Sequence, residues 1–80
     1  MEQYRKKIRE ILREVNPYED FEDDTNLNET GVLSSLTLMY LVTELEEIYE
    51  IVIKEEDMIP EKFSSVNEVA KLIETEMNRG

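Results

Sequence analysis

Two adjacent serines, Ser34 and Ser35, are the residues of this sequence best placed for chemistry. They follow a polar segment that contains Gly31 and precede a strongly helical pattern, so their hydroxyls are expected at the start of a helix. The helix dipole and the free N–H groups of a first turn favour an attached phosphate there. The chain has no His to activate a serine and no nucleophile-elbow motif, which argues against a serine hydrolase. The serines are therefore predicted either to cap the helix or to be modified.

Four acids on the same predicted helix are a second set of candidates: Glu44, Glu46, Glu47 and Glu50. Catalysis by paired carboxylates requires an apolar pocket that raises the pKa of one of them, and a chain of 80 residues has little room for such a pocket. The acids are predicted to be solvated, either as a plain soluble surface or as a docking surface for Lys and Arg of a partner protein. No catalytic residue is predicted, and the protein is not expected to be an enzyme.

The acidic segment over residues 20–28 places a carboxylate or an amide at every second position, as calcium-binding loops do. Its spacing does not fit an EF-hand. A loop that starts at Asp20 has Thr25 where a glycine is needed and Gly31 where a bidentate glutamate is needed. No metal site is therefore predicted, and a calcium-binding bundle is the least favoured interpretation.

Composition argues against several other functional classes. The chain has a formal net charge of −11 and neither Cys nor His, so disulfides, thiol nucleophiles and the usual zinc ligands are absent. Residues 1–16 carry five basic residues and three acids, and the remaining 64 residues carry four basic residues and seventeen acids. Such a surface suits neither nucleic acid nor an anionic membrane, and no apolar stretch is long enough for a signal peptide or a membrane span. We expect one domain over residues 1–80, cytoplasmic and monomeric, with basic protein partners.

Apolar periodicity predicts an all-α fold, a bundle of three main helices. The helices are expected over about residues 2–15, 35–50 and 65–77, and residues 55–58 are expected to add a short fourth helix. The apolar stripe of the second main helix is wider than that of the first, which is typical of a helix packed against two neighbours.

The segments between the helices also carry information. Residues 17–34 are predicted to form a long loop, held against the core by the four apolar residues Phe21, Leu27, Val32 and Leu33. Residues 51–53 (Ile-Val-Ile) have strand propensity, but without a second strand candidate they are expected to close one end of the helical core. Ser65 and Glu68 have the spacing of a capping box at the start of the last helix.

The stretch over residues 31–36 resembles the attachment motif of the acyl carrier protein family, in which a glycine and two apolar residues precede Asp-Ser-Leu at the start of the second main helix. The likeness continues along that helix and past it through Leu41, Val42, Leu45, Glu46, Glu47, Tyr49 and Ile53. It also includes Asp24-Thr25-Asn26-Leu27 before the motif and Pro60, Phe63, Ser65, Val66 and Leu72-Ile73 after it. It spans nearly the whole chain and implies an acyl-carrier-protein-like bundle with a long loop between the first two main helices.

The resemblance implies that a separate phosphopantetheinyl transferase attaches 4′-phosphopantetheine from coenzyme A to Ser35. Register with Leu36 and with the downstream Glu46-Glu47 pair favours Ser35 over Ser34. The arm would carry acyl groups as thioesters to enzymes of fatty acid, polyketide, nonribosomal peptide or related lipid synthesis. Leu36 is expected to pack at the base of the arm, so Ser34, Ser35 and Leu36 form the predicted cofactor site.

The resemblance also implies that partner enzymes with basic patches bind this helix and the acidic loop. The predicted docking residues are Thr37, Tyr40, Glu44, Glu46, Glu47 and Glu50. Ser34 stands where the family has an aspartate and Thr37 where an acid is common, which favours a specialised pathway such as polyketide, nonribosomal peptide or modified-lipid synthesis. An unmodified acidic adaptor of the same fold is the alternative function, and incorporation of the arm distinguishes the two.

Overall fold

The computed structural model describes residues 1–79, most of which lie in helices. The α-helices are α1 (Glu2–Val15), α2 (Leu27–Thr30), α3 (Ser35–Tyr49) and α4 (Val66–Arg79). Two 3₁₀ turns, Glu55–Asp57 and Pro60–Phe63, lie between α3 and α4. The predicted all-α bundle of three main helices is confirmed, and the first 3₁₀ turn is the short helix expected over residues 55–58. In the part of the chain that is described, no helix is long and apolar enough to cross a membrane.

The core lies along α1, which packs against both of the other long helices. Ile8 and Leu12 of α1 belong to one cluster with Leu41 and Leu45 of α3 and Ile73 of α4, and all five side chains are fully buried. Burial of an aliphatic side chain of this size stabilises a fold by about 1.5–3 kcal/mol. The spacing of these residues therefore fixes which faces of the helices meet.

The loop predicted over residues 17–34 contains a helical turn, α2, that was not expected. Asn26 begins it, because its Oδ1 accepts hydrogen bonds from the N–H groups of Asn28 and Glu29, both at 3.0 Å. Gly31 ends it with a left-handed backbone (φ 78°), which glycine adopts without strain. One turn is too short to produce a hydrophobic period, so only its capping residues encode it.

Other contacts hold this connecting segment to the bundle. The four apolar residues predicted to anchor it are all buried: Phe21, Leu27, Val32 and Leu33. Arg9 of α1 forms a two-pronged ion pair with Asp23, with Nη1 at 2.8 and 2.9 Å from the two carboxylate oxygens. The carbonyl of Asp23 also accepts a hydrogen bond from the N–H of Asn67 in α4, at 3.0 Å. The acidic segment is thereby connected to both α1 and α4.

α3 buries a narrower face than its apolar pattern predicts. Its buried residues are Thr37, Leu41, Val42 and Leu45. In contrast, Leu36, Met39 and Ile48 are 85%, 54% and 44% exposed. α3 therefore packs chiefly against α1, and part of the wide apolar stripe that was predicted to pack against two neighbours stays on the surface.

Two local predictions are confirmed only in part. Ile53 closes the core as expected, with 5% exposure, whereas Val52 beside it is 73% exposed. At the start of α4, the Ser65 hydroxyl accepts a hydrogen bond from the N–H of Glu68 at 3.2 Å, which is one half of a capping box. The Glu68 carboxylate instead forms an ion pair with Lys71 at 2.9 Å.

Candidate functional site

The two adjacent serines differ in their hydrogen bonds at the start of α3. Ser34 is the N-cap: its Oγ accepts a hydrogen bond from the N–H of Thr37 at 3.2 Å and lies 3.1 Å from Thr37 Oγ1. Ser35 is the first residue of the helix and is exposed, and its hydroxyl forms no hydrogen bond with residues 1–79. The fold therefore uses the Ser34 hydroxyl as a cap and leaves the Ser35 hydroxyl free to react.

The backbone of the first turn of α3 suits a negatively charged group next to Ser35. The N–H of Leu38 donates to the Ser34 carbonyl at 2.8 Å, and that of Thr37 is used by the cap. Within the described chain, the N–H groups of Ser35 and Leu36 have no acceptor. Free N–H groups at a helix N-terminus carry partial positive charge. These residues therefore fit a phosphate bonded to the Ser35 oxygen.

The turn before Ser35 is held by hydrogen bonds from other elements. The carbonyl of Val32 accepts from the side-chain amide of Asn16, at the end of α1, at 3.1 Å. The N–H of Leu33 donates to the carbonyl of Leu27 in α2 at 3.2 Å. Because both Val32 and Leu33 are also buried, Ser35 lies at a defined position at one end of the bundle.

A cleft of about 240 Å³ opens beside Ser35, between the start of α3 and the second 3₁₀ turn. Its largest apolar wall residues are Leu33, Leu38, Met58, Ile59 and Phe63. Phe63 is fully buried, whereas Ile59 is 40% exposed at the opening. A chain attached at Ser35 therefore has an apolar surface within reach.

Leu36 lies beside Ser35 but outside the core, with 85% of its surface exposed. The structure thus places the three residues of the predicted cofactor site, Ser34, Ser35 and Leu36, next to one another with different surroundings. Burying an exposed side chain of this size against a bound molecule is favourable. Leu36 is consequently available to contact either an attached arm or a partner enzyme.

Three of the predicted docking residues already have hydrogen-bond partners within the chain, and two of them, Thr37 and Tyr40, lie in the uncharged part of α3. Thr37 is only 4% exposed and its hydroxyl lies against Ser34, so its prediction as a surface docking residue is wrong. Tyr40 is 37% exposed, and its hydroxyl donates to Glu14 Oε2 of α1 at 2.7 Å. The carboxylates of Glu14 and Glu44 raise the pKa of Tyr40 above its ordinary value. Tyr40 therefore joins α3 to α1 while part of its ring stays at the surface.

The four acids of α3 and its end are not equally solvated. Glu46 is half-buried, and its Oε2 accepts a hydrogen bond from the N–H of Ile53 at 2.9 Å. Glu44 is also half-buried, whereas Glu47 and Glu50 are exposed. The expectation that all four are solvated is wrong for Glu46, because its carboxylate holds the chain as it leaves α3.

Met39 is a surface residue of this helix that the sequence did not single out. It is 54% exposed and lies three residues after Leu36, so the two side chains share one face of α3. The three-residue spacing in the sequence shows that Leu36 and Met39 lie on one face of α3, but it does not show whether another helix covers that face.

Comparison with known proteins agrees with this geometry. The family model of the phosphopantetheine attachment site matches residues 6–73, a range that includes both serines, α2, α3 and most of α1. No curated protein sequence and no solved structure matches the chain significantly. The resemblance to acyl carrier proteins is thereby confirmed. The chain belongs to the phosphopantetheine-attachment-site family, whose members carry 4′-phosphopantetheine covalently.

Proposed function

We propose that the arm is attached to Ser35 and that the protein presents acyl groups, held as thioesters, to biosynthetic enzymes. The pathways in question are fatty acid, polyketide, nonribosomal peptide or related lipid synthesis. The observation that carries the choice of residue is the contrast between the two serines, since the Ser34 hydroxyl is a cap and the Ser35 hydroxyl is exposed and free. When bound, the arm supplies a terminal thiol that a chain without Cys lacks.

Each residue around Ser35 has a defined part in this function. The Ser35 oxygen is the point of attachment, and the free N–H groups of Ser35 and Leu36 favour the negative charge of the phosphate. Ser34 and Thr37 hold the first turn of α3, so that Ser35 is presented in one geometry to a phosphopantetheinyl transferase. The adjoining cleft gives an attached acyl chain partial protection from water.

The surface around Ser35 supports a specialised pathway. Residues 35–43 contain no charged residue, and Leu36 and Met39 are exposed among them. Enzymes that recognise an acid next to the modified serine would find a hydroxyl or an apolar side chain here. Partner enzymes are therefore inferred to combine an apolar contact near Ser35 with a basic patch that faces Glu47 and Glu50.

The attachment is tested by intact mass after incubation with coenzyme A, magnesium and a broad-specificity phosphopantetheinyl transferase. We expect one phosphopantetheine per chain in the native protein and in Ser34→Ala, and none in Ser35→Ala. Loss of the addition in Ser34→Ala alone would move the site to Ser34. No addition in any sample, including tests with several transferases, would favour the unmodified acidic adaptor.

The pathway is tested by replacement of a cell's fatty acid carrier with this protein. Cells in which the protein is modified but does not support growth would agree with a specialised pathway. Full replacement would refute that part of the proposal and assign the protein to fatty acid synthesis.

A further inference from the structure

The segment that follows α3, residues 51–54, is not helical and has no strand partner within residues 1–79. Glu50 ends the helix with a left-handed backbone (φ 54°, ψ 45°), and residues 51–54 then form no helix. Burial alternates along the segment, because Ile53 is 5% exposed, Val52 is 73% exposed and Lys54 is exposed. Lys54 also has an extended backbone (φ −70°, ψ 147°). Alternating burial is typical of an extended chain that lies with one face against a core.

Part of the backbone of this segment lacks hydrogen-bond partners. The N–H of Ile53 donates to Glu46, and the carbonyl of Lys54 accepts from the N–H of Asp57 at 2.9 Å. Within residues 1–79, neither the N–H nor the carbonyl of Val52 forms a hydrogen bond with the chain. A free donor and a free acceptor on a non-helical segment can pair with an extended chain.

A pocket of about 450 Å³ adjoins this segment and reaches the last turns of α4. Its walls include the apolar side chains of Tyr49, Val52 and Met77, and the charged residues Glu50, Lys54 and Arg79 also line it. Val52 and Met77 are both large, apolar and exposed. The pocket therefore offers an apolar contact surface directly beside the free backbone groups.

Glu76 of α4 also lines this pocket and supplies an independent sign of a missing ligand. Its side chain is only 7% exposed, and its Oε1 accepts no hydrogen bond in the described chain. Arg79 Nε lies 3.8 Å from that oxygen, which is longer than a hydrogen bond. A buried carboxylate oxygen without a donor is unfavourable, so a bound group with an N–H donor would stabilise it.

We propose that residues 51–54 bind an extended peptide segment of a partner protein, which pairs with the backbone of Val52 and places a Lys or Arg side chain against Glu76. An extended peptide supplies the alternating N–H and carbonyl groups that this segment requires. A basic side chain supplies the donor that Glu76 lacks, and the net charge of −11 attracts a basic segment to the protein as a whole. At the pocket itself Glu50 and Glu76 are matched by Lys54 and Arg79, so the specific attraction there is to Glu76. Repulsion between two chains of net charge −11 disfavours a second copy as the occupant.

This peptide site is separate from the end of the bundle that carries Ser35. The 15 residues of α3 lie between them, which corresponds to about 21 Å at 1.5 Å per residue. A partner bound here would therefore leave the Ser35 hydroxyl uncovered, and it would compete with enzymes only at Glu50, which also lines the pocket. A partner at the peptide site would hold the protein in place while the Ser35 end of the bundle reacts with enzymes. Binding at the peptide site does not depend on modification of Ser35.

The test uses the full chain labelled with ¹⁵N and two synthetic peptides of eight residues. Both peptides alternate Thr and Val, and they differ only in a central Lys or Glu. We expect the Lys peptide to shift amide signals of residues 49–54 and 73–79 and to bind at least about tenfold more tightly than the Glu peptide. Val52→Pro, which removes the free N–H without loss of an internal hydrogen bond, should weaken binding by about tenfold or more, as should Glu76→Gln.

Matched variants control for indirect effects. Val52→Ala keeps the N–H but shortens one apolar wall of the pocket, so it should bind the Lys peptide more tightly than Val52→Pro does. Leu36→Ala truncates an exposed side chain at the opposite end of α3 and should bind the Lys peptide as the native protein does. The proposal is overturned if the Lys peptide does not bind at about 1 mM, if both peptides bind equally, or if the shifted signals lie around Ser35. A dimer in sedimentation that Val52→Pro abolishes would also overturn it, since the occupant would then be a second copy.

Discussion

Replacement of each serine by alanine should separate the serine that caps α3 from the serine that is proposed to be modified. In Ser34→Ala, α3 loses the hydroxyl that accepts from the N–H of Thr37, and the buried Thr37 hydroxyl loses its neighbour at 3.1 Å. Ser35→Ala removes an exposed hydroxyl that has no partner in the described chain. We therefore expect opposite outcomes from two changes that are identical in chemistry and adjacent in sequence.

The magnitude follows from these contacts. Loss of a Ser N-cap costs about 1 kcal/mol of unfolding free energy, and loss of a hydrogen bond to a buried hydroxyl such as that of Thr37 adds about 0.5–1 kcal/mol. Ser34→Ala should therefore cost about 1.5–2 kcal/mol, which lowers the melting temperature of a domain of this size by roughly 6–16 °C. Ser35→Ala should change the unfolding free energy by less than about 0.5 kcal/mol. Ser34→Asp, which keeps a capping oxygen, should also remain within about 0.5 kcal/mol of the native protein.

Urea unfolding of the unmodified proteins, followed by circular dichroism, measures these differences through the transition midpoints. The slope of free energy against urea should be the same for all four proteins, which would show that only stability has changed. Equal losses in Ser34→Ala and Ser35→Ala would refute the assignment of the cap. A loss in Ser34→Ala below about 0.5 kcal/mol would show that the hydroxyl pair contributes little.

Three further predictions concern the rest of the bundle. Glu46→Ala should cost about 0.5–1.5 kcal/mol of unfolding free energy, because the Glu46 carboxylate accepts a hydrogen bond from the N–H of Ile53. Glu47 is exposed, so Glu47→Ala should cost less than about 0.5 kcal/mol. Equal urea midpoints for the two variants would contradict this. The hydrogen bonds from Arg9 and Arg5 lower the pKa of Glu2 below its ordinary value of 4.5. The ionised Glu2 carboxylate therefore stabilises the fold above pH 4.5, and this stabilisation is lost as the pH falls through the lowered pKa. Glu2→Gln should therefore flatten the fall in melting temperature below pH 4.5, and identical acid profiles would count against the ion pairs. Because the net charge is −11, the melting temperature should rise between about 10 mM and about 500 mM NaCl, and a constant value would exclude self-repulsion as a significant cost.

The long helices were predictable from sequence because each contains several turns of a hydrophobic period. α2 was not, because a single turn has no period and depends on Asn26 and Gly31. The exposure of Leu36 and Met39 was hidden for a different reason. An apolar stripe indicates that a helix has a face to bury, but the width that is covered depends on how many neighbours pack against it, and that is a property of the whole bundle.

The residues themselves restrict the proposed attachment site to two adjacent serines. Ser34 and Ser35 are both good N-cap types, and only register with the family motif favoured the second. The structure gives a physical reason for that preference, because the cap position requires a non-helical backbone and Ser34 has it (φ −81°, ψ 173°). Thr37 could not have been placed from sequence, since its burial depends on the hydroxyl of Ser34 and on the packing of α3 against α1.

If basic enzymes bind α3 as proposed, the distribution of charge along this helix separates two stages of binding. Its first nine residues carry no charge and expose Leu36 and Met39, while the exposed acids Glu47 and Glu50 lie at its other end. Electrostatic attraction acts over about 10 Å at 0.1 M salt, whereas apolar surfaces contribute only once water is excluded between them. A basic enzyme would thus be attracted first to the acidic end of the helix, and its fit at Ser35 would depend on the shape of the apolar surface. High salt should consequently lower the association rate with partner enzymes more than it raises the dissociation rate. Substitution of Leu36 should instead raise the dissociation rate and change the association rate little.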